Sequence, residues 1–151
     1  PLARPLVDYV VQNGVLAVWN LPEPQPTPAQ IAAAMLPAAQ AIIAERIKVE
    51  RDSRKFSGVT IGVNKFHSDA DSRTQQLGLV LMGVNLPAVQ WKTMGGAFVT
   101  MTPTLANQIF GATAQRDIAV FAVAESHLVA VMALTNVAAV MAYDVNAGWP
   151  V

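Results

Sequence analysis

The chain contains no cysteine, which excludes disulfides and thiolate metal sites but leaves the compartment open. It has two histidines, His67 and His127; neither has a second His four residues away, so no helical two-His metal motif exists. Charge is scarce as well. Only 13% of residues are charged, against roughly 25% in ordinary domains, while 53% are apolar. Such a chain cannot cover its own apolar surface, and a second copy is the expected cover. The net charge is zero, so bulk electrostatics support neither a nucleic-acid nor an acidic-membrane partner. A signal peptide is also lacking, because Arg4, Asp8, Glu23 and several prolines interrupt the first thirty residues. A chain starting at Pro1 is expected to be complete after Met removal. With 151 residues it fits one ordinary domain, or one module with an appendage.

Leu6 to Leu21 alternates around Asn13-Gly14, the dipeptide that best tolerates the positive φ angles of a tight hairpin turn. This hairpin, with Tyr9, Val11, Val18 and Trp19 as its large side chains, is expected to pack on something else. Alternate prolines from Pro22 to Pro28 then give an extended linker. They set a division into an attachment element, residues 1–26, and an α+β module, residues 27–151.

Thr27 is the expected N-cap and Pro28 the first residue of a helix running to about Ser53, kinked or divided near residues 33–37 by Pro37. Its tail, Glu45 to Lys55, carries eight of the twenty acidic and basic residues and reads as a solvated face with a Glu50–Arg54 pair. Gly58 to Phe66 reads as a hairpin around Gly62. Asp69 or Ser68 then caps a short helix over residues 70–84 with Leu77, Val80, Leu81 and Val84 on its apolar face. Val89 to Thr102 reads as strand, Met94-Gly95-Gly96 turn, strand, with Trp91 as a structural aromatic.

The last helix is expected from Thr102 or Thr104 to about Tyr143. From Ile118 it is apolar on nearly every face, which suits either a membrane span or burial in an oligomer. Glu125 and His127 within it, and the lack of Lys or Arg at its C-terminal end, favour burial. Ile118, Phe121, Ala122, Leu128, Val129, Met132 and Val140 are the expected contacts of an oligomeric helical core, read as a homotrimer.

No residue set has catalytic spacing. His67, Asp69 and Asp71 could offer ligands to a hard metal, yet they lack the glycine and glutamate of a calcium loop, and the capping reading is preferred. Gly95-Gly96 lacks the remainder of a phosphate loop and reads as a turn. Trp91, Phe98, Phe66 and Trp149 could line a sugar-binding groove, although large aromatics in a short sheet are usually its core. No metal, no cofactor and no enzymatic activity are expected.

The segments ERIKVERDSR, GVTIGVNKFHSDADSR and QWKTMGGAFVTMT, followed by a long Ala-rich helix and a closing GWP, resemble an uncharacterised domain found in tail-fibre and other tail-associated proteins of tailed bacteriophages. The resemblance covers about Ile47 to Pro150 and is most specific at Phe66 to Arg73 and at Trp91-Lys92-Thr93. It implies a structural part of a phage tail, tail fibre or baseplate, made in the host cytoplasm and placed in the virion beside other tail proteins. The alternative it leaves is an assembly chaperone or a receptor-binding tip.

Overall fold

A computed structural model describes residues 8–13 and 15–150. The architecture is α+β, with three separate two-stranded antiparallel sheets arranged around two long helices. Strands β1 (Tyr9–Gln12) and β2 (Val15–Trp19) form the first hairpin, with Tyr9 opposite Trp19. Asn13 takes φ 50° at the turn, a conformation Asn tolerates better than most side chains. Gly14, expected beside it, lies outside the described residues.

Helix α1 (Pro28–Lys55) begins with a reciprocal cap in which Gln30 N donates to Thr27 Oγ1 and Thr27 N donates to Gln30 Oε1. The expected division at Pro37 does not occur, and α1 is one continuous helix. Pro37 and Ala33 are both exposed, so the carbonyl that loses its helical donor can be hydrated.

Two further hairpins follow, β3 (Val59–Ile61) with β4 (Asn64–Phe66), and β5 (Val89–Lys92) with β6 (Phe98–Met101). The two hairpins expected on either side of a short helix are both present, and they are linked where Met94 N donates to Lys65 O at 2.8 Å. Gly58 permits this close approach, since a Cβ there would stand 2.3 Å from Met94 Sδ and 2.8 Å from Phe66 O. Between the hairpins lie α2 (Ala70–Met82) and a 3-10 turn, Gly83–Asn85.

Helix α3 (Pro103–Ala133) is the spine. Its first half packs Ala106 and Ile109 against Val59, Phe66 and Met101 of the hairpins. Its second half packs Val120, Ala124 and Val131 against Ala39, Ile43 and Ile47 of α1. The expected continuation to Tyr143 is interrupted after Ala133, where Asn136 caps a separate short helix, α4 (Val137–Met141), by accepting from Ala139 N at 2.8 Å. Gln40 Nε2 reaches Val131 O, Met132 O and Leu134 O at 3.2–3.4 Å and so satisfies carbonyls that the break releases. The chain then folds back, and Trp149 joins the α1–α3–α4 core.

Among the described residues no helix is long and apolar enough to cross a membrane.

Candidate functional site

The densest polar construction lies at the C-terminal end of α1, where unpaired helix carbonyls carry partial negative charge. Ser68 Oγ donates to Lys55 O and accepts from Gly58 N, both at 2.9 Å, and is fully buried. Arg73, on α2, donates through Nη2 to Lys55 O at 2.9 Å and through Nε to Ser68 O. Its guanidinium also grips both carboxylate oxygens of Asp117 on α3, the Nη2–Oδ1 contact being 2.9 Å. Arg116 completes the clamp from α3, with Nε on Arg54 O at 3.0 Å and Nη2 on Ser57 Oγ at 2.8 Å. Three helices are thereby locked at one point by the segment from Phe66 to Arg73 and two adjacent residues of α3.

This clamp also explains a misread face. Of the residues expected on the apolar side of α2, Val80 is half-buried, but Leu77, Leu81 and Val84 are exposed, Val84 by 93%. Gln76 faces inward instead, its Nε2 donating to His67 O at 2.7 Å. Two charge-assisted or buried polar contacts, Arg73 and Gln76, set the rotation of the helix more strongly than a few leucines do.

Asp69 caps α2, accepting from Ser72 N at 3.0 Å and from Ser72 Oγ at 2.8 Å. These bonds hold its carboxyl below the ordinary carboxylate range of about 3.8. A depressed folded pKa stabilises the fold above the unfolded pKa and ceases to do so as pH falls through the folded value. Denaturation midpoints measured at pH 5 and pH 3 should therefore converge more in Asp69→Asn than in the wild type. His67 Nδ1 stands 3.9 Å from Asp69 Oδ2, and among the described residues no three His, Asp or Glu are grouped as metal ligands. Trp91 is half-buried against the hairpin core. Gly96, with φ 86°, and Gly95 lie in the Thr93–Ala97 turn, where Thr93 N donates to Ala97 O.

The residues expected at an oligomer interface separate into three groups. Ile118 is 73% exposed and Val129 61% exposed, with Phe121, Ala122 and Met132 also open. Leu128 is half-buried against the chain's own core. Val140 is fully buried within that core and has no surface left for a partner, because the turn after Ala133 directs α4 back onto α1. Phe121 is partly covered by Arg51, 4.8 Å from its ring centre, and by Lys55 at 5.7 Å. His127, in contrast, is satisfied internally by Tyr143 Oη at 2.7 Å and Ala147 O at 3.0 Å.

Sequence reasoning ran Ile31, Met35 and Ile42 together with Leu36, Ala39, Ile43 and Ile47 as one apolar stripe of α1, and missed that only the latter four face the core. Ile31, Met35, Ala38, Ile42 and Val49 are exposed along α1, at spacings of four, three, four and seven residues. Counting α1 against a heptad template would have found it, because a helix with two apolar seams has one more than its own fold uses. The stripe borders shallow depressions, one of about 440 Å³ formed by Ile42, Glu45, Arg46, Val49, Glu50 and Val145.

Residues 37–147 match the model of DUF4376, a domain of unknown function. The chain belongs to the DUF4376 family. All the clamp residues and nearly all of both cores fall inside the DUF4376 match. Residues 1–44 match a second model, that of the XkdW protein, a phage-associated family name. The two matches overlap from Pro37 to residue 44, within α1, so the DUF4376 region reaches about ten residues before the resemblance read from sequence. No curated protein and no solved structure matches the chain.

Proposed function

We propose that this chain is a structural component of a bacteriophage tail, tail fibre or baseplate, assembling as a homotrimer through α3 and docking on a neighbouring protein through its N-terminal hairpin. It acts as a scaffold and not as an enzyme. The observation carrying this reading is the pair of exposed apolar stripes on α1 and α3, in a chain whose N-terminal segment matches a phage-associated family. Helices that leave a heptad-spaced seam open in one chain are able to close it against copies of themselves. Tyr9, Val11 and Val18 are likewise exposed on the hairpin and offer an apolar surface to another protein.

The test is native mass of the isolated protein, with mass spectrometry of purified particles. The trimer mass and the presence of the chain in particles are expected. Val129→Asp and Met132→Asp place a carboxylate on residues already exposed in the single chain, so each should fold normally yet reduce the assembly to monomer. Unchanged trimer mass in both variants would sink the α3 interface. Absence from purified particles would sink the structural role.

A further inference from the structure

Closing α3 against other copies leaves the stripe on α1 open. Within it Ile31, Met35 and Ile42 are 39%, 52% and 50% exposed, and Ala38 is exposed between them. At about 100° per residue these four side chains fall within an arc of about 60°, turned away from Ala39, Ile43 and Ile47, which face the core. Ala34 and Ala41, on the flank of the arc, are exposed too. Residues 28–44 carry no charged side chain at all, whereas the outer face of a helix that stays in water is normally polar.

The pattern reads the same in both directions. Gaps of four, three and four residues separate Ile31, Met35, Ala38 and Ile42. An antiparallel copy of the segment therefore sets Ile31 level with Ile42 and Met35 level with Ala38, each twice. Large side chains meet small ones in the middle of the seam, which lets the two rows interdigitate. The small Ala34 and Ala41 beside them let two helix axes approach closely. An incoming Ile42 also has a place to go, since Ile31 and Met35 border a hollow of about 250 Å³ walled by Leu16, Pro26 and Pro28.

Charge selects the same orientation. Residues 45–55 hold five basic and three acidic side chains. A parallel pair would lay two such net-positive segments side by side, and an antiparallel pair puts them at opposite ends. It also brings Glu45 level with Pro28 of the other copy. The first turn of α1 has no acidic residue of its own, and the partial positive charge of its N–H groups favours a carboxylate there.

We propose that residues 31–42 of α1 pair antiparallel with the same residues of a second copy, about a two-fold axis level with Leu36 and Pro37. Such a contact is isologous, each pairing occurring twice. The strip is about 18 Å by 10 Å, short of the roughly 800 Å² per partner of a standard interface. The contact is therefore weak between isolated molecules and serves to join assemblies whose copies are already held at high local concentration. It is separate from the α3 interface and does not depend on a role in a phage particle.

The absence of cysteine allows the pairing to be trapped by introduced thiols. Full-length Ile31→Cys/Ile42→Cys, treated with a short bismaleimide at high protein concentration, should give covalent dimers on a denaturing gel in about tenfold the yield of either single variant. Within one chain the two positions are about 16 Å apart along the helix, too far for the reagent to join them. Adding Ala38→Glu, at a position exposed in the single chain, sets two carboxylates in adjacent layers of the seam. It should remove the cross-linked product while the circular dichroism stays unchanged. Dimers from Ile42→Cys alone, in the yield of the double variant, would mean a parallel seam and overturn the antiparallel pairing. A double variant that cross-links no better than the single ones, or a product that survives Ala38→Glu, overturns the contact.

Discussion

Arg73→Ala is expected to lower the unfolding free energy by about 3 kcal/mol, the range for removing one partner of a desolvated, hydrogen-bonded ion pair. The loss has three parts. Asp117 is left without its guanidinium, and Lys55 O and Ser68 O each lose a charged donor. The pair is only partly desolvated, with side chains 21% and 25% exposed, which sets the effect at the lower end of that range. Arg73→Lys keeps the charge but cannot reproduce the planar fork that reaches two carboxylate oxygens and two carbonyls, so it should restore less than half of the loss. Because the residues act together, Arg73→Ala and Asp117→Ala should be less costly combined than the sum of the two. Urea denaturation of the four proteins measures this directly. A shift below about 1 kcal/mol for Arg73→Ala would place the pair with ordinary surface ion pairs and remove the clamp as an organising feature.

The clamp shows where a sequence can be read and where it cannot. Local signals were readable: Thr27 and Pro28 start a helix, Asn13 sits in a hairpin turn and Gly96 supplies a positive φ, each within four residues of its partner. The Glu50–Arg54 pair, at 2.6 Å, is another such local contact. Arg116 instead satisfies a carbonyl 62 residues away, and Arg73 a carboxylate 44 residues away. No periodicity encodes those distances. The same limit explains α2, whose leucines suggested one buried face while its long-range polar contacts chose another. It explains the end of α3 too, where an apolar run concealed the break that Asn136 and Gln40 stabilise from opposite ends of the chain.

Trp149→Ala is expected to cost about 3–5 kcal/mol, the usual loss for truncating a large buried aromatic. The ring lies in the α1–α3–α4 core, 8% exposed, with its centre 5.2 Å from that of His127. Its Nε1 donates to Val145 O at 2.8 Å, closing the turn after α4. Removing it opens a cavity beside His127 and frees the segment that supplies Ala147 O to the imidazole, so two supports are lost with one side chain. Trp149→Phe keeps most of the ring and forfeits the hydrogen bond, for an added penalty of about 1 kcal/mol. Chemical denaturation followed by far-ultraviolet circular dichroism gives both values. If Trp149→Ala were no more destabilising than Trp149→Phe, the indole would contribute its hydrogen bond and little packing, and the C-terminal turn would not be part of the helical core.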